Sequence, residues 1–351
     1  MRHFLLTRFW IPVVFVGLSG CLPSSCNRTE SRALLPADSL SRSIAADLPV
    51  DTLRTIAAFV DVEALSYPRT LGYAPDGRLW VADSEREVLL REWMPGSGAP
   101  SADSIGLRQV AELPGAVPWL AGFRGDTVVV YSPAGHEMLL HSDEGELLER
   151  IPLAGDRPER GALTWAAADS TGFAVKVLAE DFEGYIGRLD RSGAVAEAHP
   201  LAGEPWLHAG MVRTWNGRVV SLRGYFPAVD IWTGGQVDSV ALVGFDSPML
   251  SRTRGFLIGD VNQPPLLTAS AAPLGDLLFV LNMRPGWLRV DVFDENGRLR
   301  HILTQSDPEF RQEYFPTDLA VRRLASGAYE LSVSVLKPEA RIDRYRWQPD
   351  P

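Results

Sequence analysis

Six short turns built on glycine recur along this 351-residue chain at nearly even spacing. Consecutive turn glycines are 48, 47, 45, 58 and 52 residues apart. Glycine suits such turns because two-residue hairpin loops need a positive φ. We therefore interpret each turn as the link between the first two strands of a repeated unit. The six turns are Pro75-Asp76-Gly77, Arg124-Gly125-Asp126, Ser170-Thr171-Gly172, Trp215-Asn216-Gly217, Leu274-Gly275-Asp276 and Ala325-Ser326-Gly327.

A second glycine turn follows the first in units 2 to 5, at offsets of 20, 21, 18 and 22 residues. The segments between turns are short and rich in β-branched, aromatic and aliphatic residues, which predicts four successive antiparallel strands per unit. A four-stranded sheet does not bury both faces alone, so its recurrence predicts a β-propeller. The second turns are Asp143-Glu144-Gly145, Asp190-Arg191-Ser192-Gly193, Thr233-Gly234-Gly235 and Asp294-Glu295-Asn296-Gly297.

The sixth unit reaches the end of the chain with three predicted strands, Thr317–Leu324, Ala328–Val335 and Arg341–Trp347. Arg54–Val60, ahead of the first unit, has the composition of a strand and could supply the fourth. The sequence therefore predicts an all-β, six-bladed β-propeller of four-stranded antiparallel blades, whose ring is closed by this N-terminal strand. Closure matters because an open edge strand invites aggregation.

Two stretches carry a family resemblance. Pro75–Asp83 in unit 1 and Val290–Leu299 in unit 5 resemble the repeats of NHL-type six-bladed propellers. The resemblance extends over Arg54–Trp347, is specific in units 1 and 5 and is loose in units 3 and 4. It implies the same six-bladed ring.

Residues 1–20 have the features of a secretory signal peptide. A short basic start precedes the apolar run Phe9–Gly17, which is far shorter than the ~20 residues needed to span a bilayer. Leu18-Ser19-Gly20-Cys21 follows and closely resembles the bacterial lipobox. That resemblance implies cleavage before Cys21, lipidation of Cys21 and a place in the bacterial cell envelope. An ordinary signal peptide followed by a chance cysteine is the alternative.

Residues 21–53 are predicted to be a flexible tether between the lipid and the propeller, which would occupy residues 54–351. At about 5–6 Å × √n, some 30 residues extend on the order of 30 Å. In the lipoprotein resemblance, Leu22 stands where an aspartate would retain the protein at the inner membrane, which favours the outer membrane. Cys26 is the one cysteine besides Cys21, so a disulfide framework is excluded.

The net charge of −10 becomes −12 when Arg2 and Arg8 leave with the signal peptide. An acidic chain argues against nucleic acid as a partner and against adhesion to anionic lipid by charge. The membrane is therefore expected to be reached only through the lipid anchor. Lys176 and Lys337 are the two lysines among 34 basic residues, which we interpret as the mark of a GC-rich genome.

The sequence contains no motif of a serine hydrolase, a phosphate-binding loop or a zinc protease. Six-bladed relatives of the gluconolactonase type bind a divalent metal in the channel through carboxylate and asparagine oxygens. Asp169, Asn282 and Asp318 could supply such oxygens, although acids at strand ends commonly cap turns. No other cofactor is expected. His141, His199 and His301 lie on predicted outer strands or their turns, too widely spaced to form a cluster.

The predicted propeller has two unlike faces. One, the turn face, carries the tight glycine turns. The other, the loop face, carries the connections between strands two and three and between units, including the insertion Gly244–Leu266. Long loops on a rigid scaffold often carry function, and aromatic and arginine residues are enriched at binding hot spots. The loop-face residues predicted to bind a partner are Arg69, Trp119, Trp165, Trp206, His208, Tyr225, Phe226, Arg252 and Arg254.

Two functions of different class fit the sequence. The first is a lipid-anchored extracytoplasmic binding or scaffold module that recognises a protein or a carbohydrate. The second is a metal-dependent hydrolase or lyase with its site in the channel. The absence of a catalytic motif favours the first. Packing between blades is the alternative role for the aromatic residues, and the oligomeric state does not follow from the sequence.

We expect Cys21→Ser to move the protein from the membrane fraction to the soluble fraction, because the variant lacks the thiol that carries the lipid. The measurement is fractionation followed by a carbonate wash. A variant that still sediments with washed membranes would contradict lipid anchoring at this residue.

Overall fold

The computed structural model describes residues 38–59, 65–93, 106–154, 162–178, 184–201, 203–306 and 310–349. The predicted signal peptide, Cys21 and the first part of the predicted tether lie outside these residues. The described strands, in chain order, are β1 (Val50–Phe59), β2 (Pro68–Tyr73), β3 (Leu79–Asp83), β4 (Val88–Trp93), β5 (Gly106–Glu112), β6 (Trp119–Arg124), β7 (Thr127–Ser132), β8 (Glu137–His141), β9 (Leu147–Pro152), β10 (Leu163–Ala168), β11 (Phe173–Leu178), β12 (Gly184–Leu189), β13 (Val195–Leu201), β14 (Val212–Trp215), β15 (Arg218–Arg223), β16 (Ala228–Thr233), β17 (Gln236–Ala241), β18 (Thr268–Leu274), β19 (Leu277–Asn282), β20 (Arg289–Asp294), β21 (Leu299–Gln305), β22 (Phe315–Arg323), β23 (Tyr329–Lys337) and β24 (Arg341–Trp347). Two α-helices, α1 (Asp38–Asp47) and α2 (Leu250–Ile258), and a 3-10 turn, Pro205–Leu207, accompany them.

The protein is all-β, but its strands form two four-stranded and two eight-stranded sheets instead of six separate ones. β2–β5 and β14–β17 form the sheets of units 1 and 4. Units 2 and 3 share a sheet because Ala168 of β10 pairs in parallel with Gly122 of β6. A Cβ on Gly122 would lie 2.7 Å from the carbonyl oxygen of Ala168, so glycine permits this approach.

Units 5 and 6 share the other eight-stranded sheet through β1. Val50–Leu53 pairs in parallel with β21 of unit 5. Arg54–Phe59 pairs antiparallel with β24 of unit 6, which is the pairing predicted from the sequence. The carboxylate of Asp51 accepts a hydrogen bond from Trp347 Nε1 at 3.1 Å and lies 3.1 Å from Nδ1 of His301. The N-terminal strand is therefore tied to both neighbouring units.

The last part of the predicted tether is a helix and the start of a strand. Helix α1 spans Asp38–Asp47, and β1 begins at Val50, four residues before the predicted boundary. Ile44, Ala45 and Leu48 pack against the main hydrophobic core, so this part of the chain gains structure from apolar contacts. Neither helix within the described ranges is long and apolar enough to cross a membrane.

The core lies between neighbouring units. Side chains alternate along each strand, so each sheet offers an apolar face to the unit on either side. One cluster joins Leu71 and Val81 of unit 1 to Ile342 of unit 6, and another joins Phe279 of unit 5 to Trp347 of unit 6. This packing holds the innermost strands, and hence the loops at their ends, in fixed positions.

A buried ion pair joins unit 6 to unit 1. Arg344 of β24 donates from Nη1 and Nη2 to the two carboxylate oxygens of Glu92 on β4, at 2.7 and 2.9 Å. Both side chains are buried. Burial favours a raised pKa for Glu92, but the hydrogen bonds and charge of Arg344 outweigh it and hold that pKa below its usual range. The pair therefore persists in ionised form.

We expect Glu92→Leu to destabilise the fold by about 3 kcal/mol, because it removes the carboxylate that binds both Nη atoms of the buried Arg344 guanidinium and leaves Glu330, 3.7 Å from Arg344 Nε, as its remaining counter-charge. The double variant Glu92→Leu/Arg344→Met is the matched control and should recover most of that loss. Urea denaturation measures both. A double variant no more stable than the single one would show that the pair's geometry, not its charge balance, holds the junction.

Candidate functional site

A buried lysine lies at the junction of units 3 and 4. Lys176 is on β11, opposite Trp165 of β10, and is 0% exposed. Its Nζ donates to the carbonyl oxygen of His208 at 2.7 Å and lies 2.9 Å from Oγ of Ser221 on β15. The Trp165 ring covers the amine, with its centroid 4.9 Å from Nζ. Two predicted loop-face residues, Trp165 and His208, thus meet around a side chain that the sequence did not single out.

The Lys176 amine has neutral oxygens as its hydrogen-bond partners. Burial lowers its pKa to about 7, while the charge of Asp230 opposes and that of Arg223 reinforces the shift. Arg223 and Asp230 form their own pair, with two contacts of 2.9 Å. Lys176 is therefore a mixture of amine and ammonium near neutral pH. A neutral lysine has the properties of a base or nucleophile, but here it is enclosed.

A second group of predicted residues surrounds helix α2, which forms within the insertion before unit 5. Trp206 stacks on Phe226, with ring centroids 5.4 Å apart, and meets Phe256 edge-on at 4.8 Å. Phe226 is 0% exposed, so it packs the base of the helix and has no surface to offer a partner. Trp206 is partly exposed, and Arg252 is exposed on α2.

Tyr225 and Arg254 lie in the same region and are partly exposed. Burial raises the pKa of the Tyr225 phenol, so it stays protonated at neutral pH. Together with Trp206, Phe256 and Arg252 they form the surface that we call the α2 patch. It combines aromatic area with guanidinium groups, and it stands on the buried Phe226.

A third pair lies where the first strands of units 1 and 2 begin. The guanidinium carbon of Arg69 is 4.4 Å from the ring centroid of Trp119, a distance suited to a cation–π contact. Trp119 is only 6% exposed, which matches the packing role more than a role at the surface. Burial lowers the pKa of Arg69.

The three metal candidates have separate partners and do not come together. Asp318 is fully buried and accepts from Arg213 Nη2 at 2.7 Å and from the Leu71 amide at 2.7 Å. Asp169 accepts from Thr171 and Gly172, which is a turn cap. Asn282 donates to Asp291 and to the carbonyl of Asp246. Among the described residues, no three His, Cys, Asp or Glu side chains are placed to hold a metal ion.

The sequence carried one usable signal for the first of these groups. Lys176 is one of two lysines in the chain, and it is the one that the fold buries completely. From composition alone, we attributed the scarcity of lysine to a GC-rich genome. The sequence does not reveal which of the two lysines is buried. Arg213 and Phe256 likewise gave no sign of their positions.

The fold and its solved neighbours place this chain in the β-propeller class. AofleA from Arthrobotrys oligospora is similar over 86% of this chain and 94% of its own, with a TM-score of 0.51 and 12% identity. An arginine-to-alanine mutant of AofleA gives a TM-score of 0.53 at 12% identity, over 85% of this chain and 88% of its own. A streptogramin B lyase gives 0.50 at 12% identity over the same shares. No family model and no curated protein matches the sequence.

We expect the stability of the protein to rise with pH between about 7 and the ordinary lysine value of 10.5, through Lys176. Below pH 7 this side chain is protonated in both the folded and unfolded chain. Between the two values the unfolded chain binds more protons, so raising the pH favours the folded state. The stability of wild type minus that of Lys176→Met should therefore increase with pH.

The measurement is the free energy of unfolding in urea from pH 6 to pH 9. Lys337→Met is the matched control, since Lys337 is exposed and its removal should leave the pH dependence unchanged. A wild-type to Lys176→Met difference that is the same at every pH would refute the lowered pKa.

Proposed function

We propose that this protein is a lipid-anchored, extracytoplasmic binding module of the bacterial cell envelope, built as an NHL-type six-bladed propeller. It recognises a protein or carbohydrate partner through its loop face, and the α2 patch is the centre of that site. The observation that carries the proposal is the ordered helix inserted before unit 5, which presents arginine and aromatic side chains on a buried aromatic base.

The six-bladed interpretation is supported by strand order. β2–β5, β6–β9, β10–β13, β14–β17 and β18–β21 each form a consecutive four-strand run, and β22–β24 with β1 form a sixth. The two eight-stranded sheets are then pairs of blades, joined by one residue pair in one case and by β1 in the other. The similarity to solved propellers supports the scaffold and not a particular ligand.

The chemistry of the α2 patch supports recognition. Arg252 is exposed, Trp206 and Tyr225 are partly exposed, and tryptophan, tyrosine and arginine dominate binding hot spots. Phe226 and Leu257 are buried beneath them, so the patch is held in place before a partner arrives. A preorganised site loses less conformational entropy on binding.

The alternative of a metal-dependent hydrolase or lyase receives less support. Asp318 already accepts hydrogen bonds from Arg213, Ser270 and Leu71, so its oxygens are engaged in joining units. A titration of the purified protein with Ca²⁺ and Mg²⁺ tests this alternative directly.

We expect Arg252→Ala to weaken binding to envelope material by at least about fivefold, which corresponds to roughly 1 kcal/mol. The measurement compares retention of the purified variants on the organism's isolated envelope proteins and polysaccharides. Arg78→Ala is the matched control, because Arg78 lies on the turn face and is paired with Asp76. Equal losses in both variants, or none in either, would place the site elsewhere.

A further inference from the structure

A cleft of about 420 Å³ lies between units 1 and 2, and its lining includes none of the residues predicted from the sequence to bind. One wall is the end of β5 and the connection that follows it. The floor and the other wall come from β8, β9 and the loop before β8. Its volume is in the roughly 300–1,000 Å³ range of small-molecule sites. Side chains that line it include Glu112, Ser132, Glu137, His141 and Arg150.

The floor of the cleft is one face of β8. Glu137, Leu139 and His141 lie on the same side of the strand because side chains alternate. Leu139 packs in a cluster with Leu113 and Ala111 of the unit 1 wall, so this face is turned toward unit 1. His141 is 2% exposed and is held at the base of the cleft.

His141 brings a hydrogen-bond acceptor that has no partner within the described residues. Its Nδ1 lies 3.1 Å from the carbonyl oxygen of Gly145. A carbonyl only accepts, so Nδ1 carries the proton and Nε2 of the neutral ring is the acceptor. Burial lowers the pKa of His141, which keeps the ring neutral. Nε2 is buried without a hydrogen bond, and an unmet buried group costs about 1–3 kcal/mol.

The walls of the cleft are held by hydrogen bonds. The amide of Leu113 donates to the Glu87 carbonyl at 2.7 Å, and the amide of Gly115 donates to the Glu87 carboxylate at 2.7 Å. On the opposite side, Gly135 donates to Ser132 Oγ at 3.2 Å. A cleft with fixed walls needs little rearrangement to accept a ligand.

The charged groups at the rim constrain the ligand. Arg150 Nη1 donates to Glu137 Oε1 at 2.8 Å, and Glu112 is exposed beside them. An anionic ligand would be repelled by the two carboxylates, whereas a cationic ligand would be repelled by the guanidinium. The cleft offers hydrogen-bond acceptors at His141 and Glu112 and a hydrogen-bond donor at Arg150. It therefore suits a neutral ligand that can both donate and accept hydrogen bonds. Hydroxyl groups have this dual capacity.

We propose that this cleft is a saccharide-binding subsite, in which sugar hydroxyls donate to His141 Nε2 and to the carboxylates of Glu112 and Glu137 and accept from Arg150. The site shares no residue with the α2 patch. It therefore goes beyond the proposed function, and each can fail without the other.

The test follows the imidazole ring of His141 by NMR in the soluble Cys21→Ser protein at pH 7, with His141→Gln identifying its signal. The probes are glucose, galactose, mannose, xylose, N-acetylglucosamine and cellobiose. At least one should shift the His141 signal in a saturable manner. Ala134→Trp, which adds a large side chain to the lining of the cleft, should weaken that binding at least about tenfold. Ala325→Trp, on an exposed turn of unit 6, is the matched control and should leave it unchanged.

The proposal is overturned if none of these sugars shifts the His141 signal, or if Ala134→Trp binds as well as the control. A shift with Zn²⁺ and with no sugar also overturns it, because that result would identify a metal ligand. The same titration of Arg252→Ala separates the two sites, since loss of the α2 patch should leave sugar binding at His141 intact.

Discussion

One strand holds together two parts of the chain that are far apart in sequence. β1 gives its first four residues to β21 and the rest to β24, so a single ten-residue segment completes unit 6 and fastens it to unit 5. Without β1, β24 would present an unpaired edge. The Asp51 carboxylate strengthens the attachment because it contacts side chains from both partner strands, His301 and Trp347.

The remaining junctions combine apolar packing with buried charge. Asp318 receives donors from three other units, through Leu71 of unit 1, Arg213 of unit 4 and Ser270 of unit 5. A buried carboxylate is tolerated when its oxygens are fully hydrogen-bonded. Removing its partners destabilises the fold far more than replacing the whole ionic group by apolar residues of similar volume. Buried ionic groups of this kind therefore fix which strands meet at the centre, while the apolar clusters supply most of the stabilisation.

Much of the fold was predictable because its signals are local. A glycine turn can be recognised from about three consecutive residues. The pairing of the N-terminal strand with β24 was predicted because the sixth unit has three strands of its own and needs a fourth. Helix α1 was missed because its short, polar sequence becomes helical through contacts of Ile44 and Leu48 with distant strands. The fusion of units 2 and 3 was missed because it rests on one close approach at Gly122.

The site was less predictable, since burial is a property of the fold and not of a residue type. Phe226 and Trp206 look equally suited to a surface, yet one lies beneath the other. The histidines on the predicted outer strands are too widely spaced in the sequence to form a cluster, so His141 was not predicted to be a site residue. Its role in a candidate site follows from its position at the base of the cleft. Lys176 and Lys337 are chemically identical in the unfolded chain, and the fold alone distinguishes them.

That distinction has a practical consequence for handling the protein. Lys176 is enclosed by Trp165 and by unit 4, whereas Lys337 is exposed at the end of β23, on the loop face. Of the two lysine amines, Lys337 is thus the one open to dyes, biotin esters and activated sensor surfaces. Coupling through lysine would attach the folded molecule in one orientation, with the loop face turned toward the support. A tag engineered on the turn face would present the opposite side to ligands in solution.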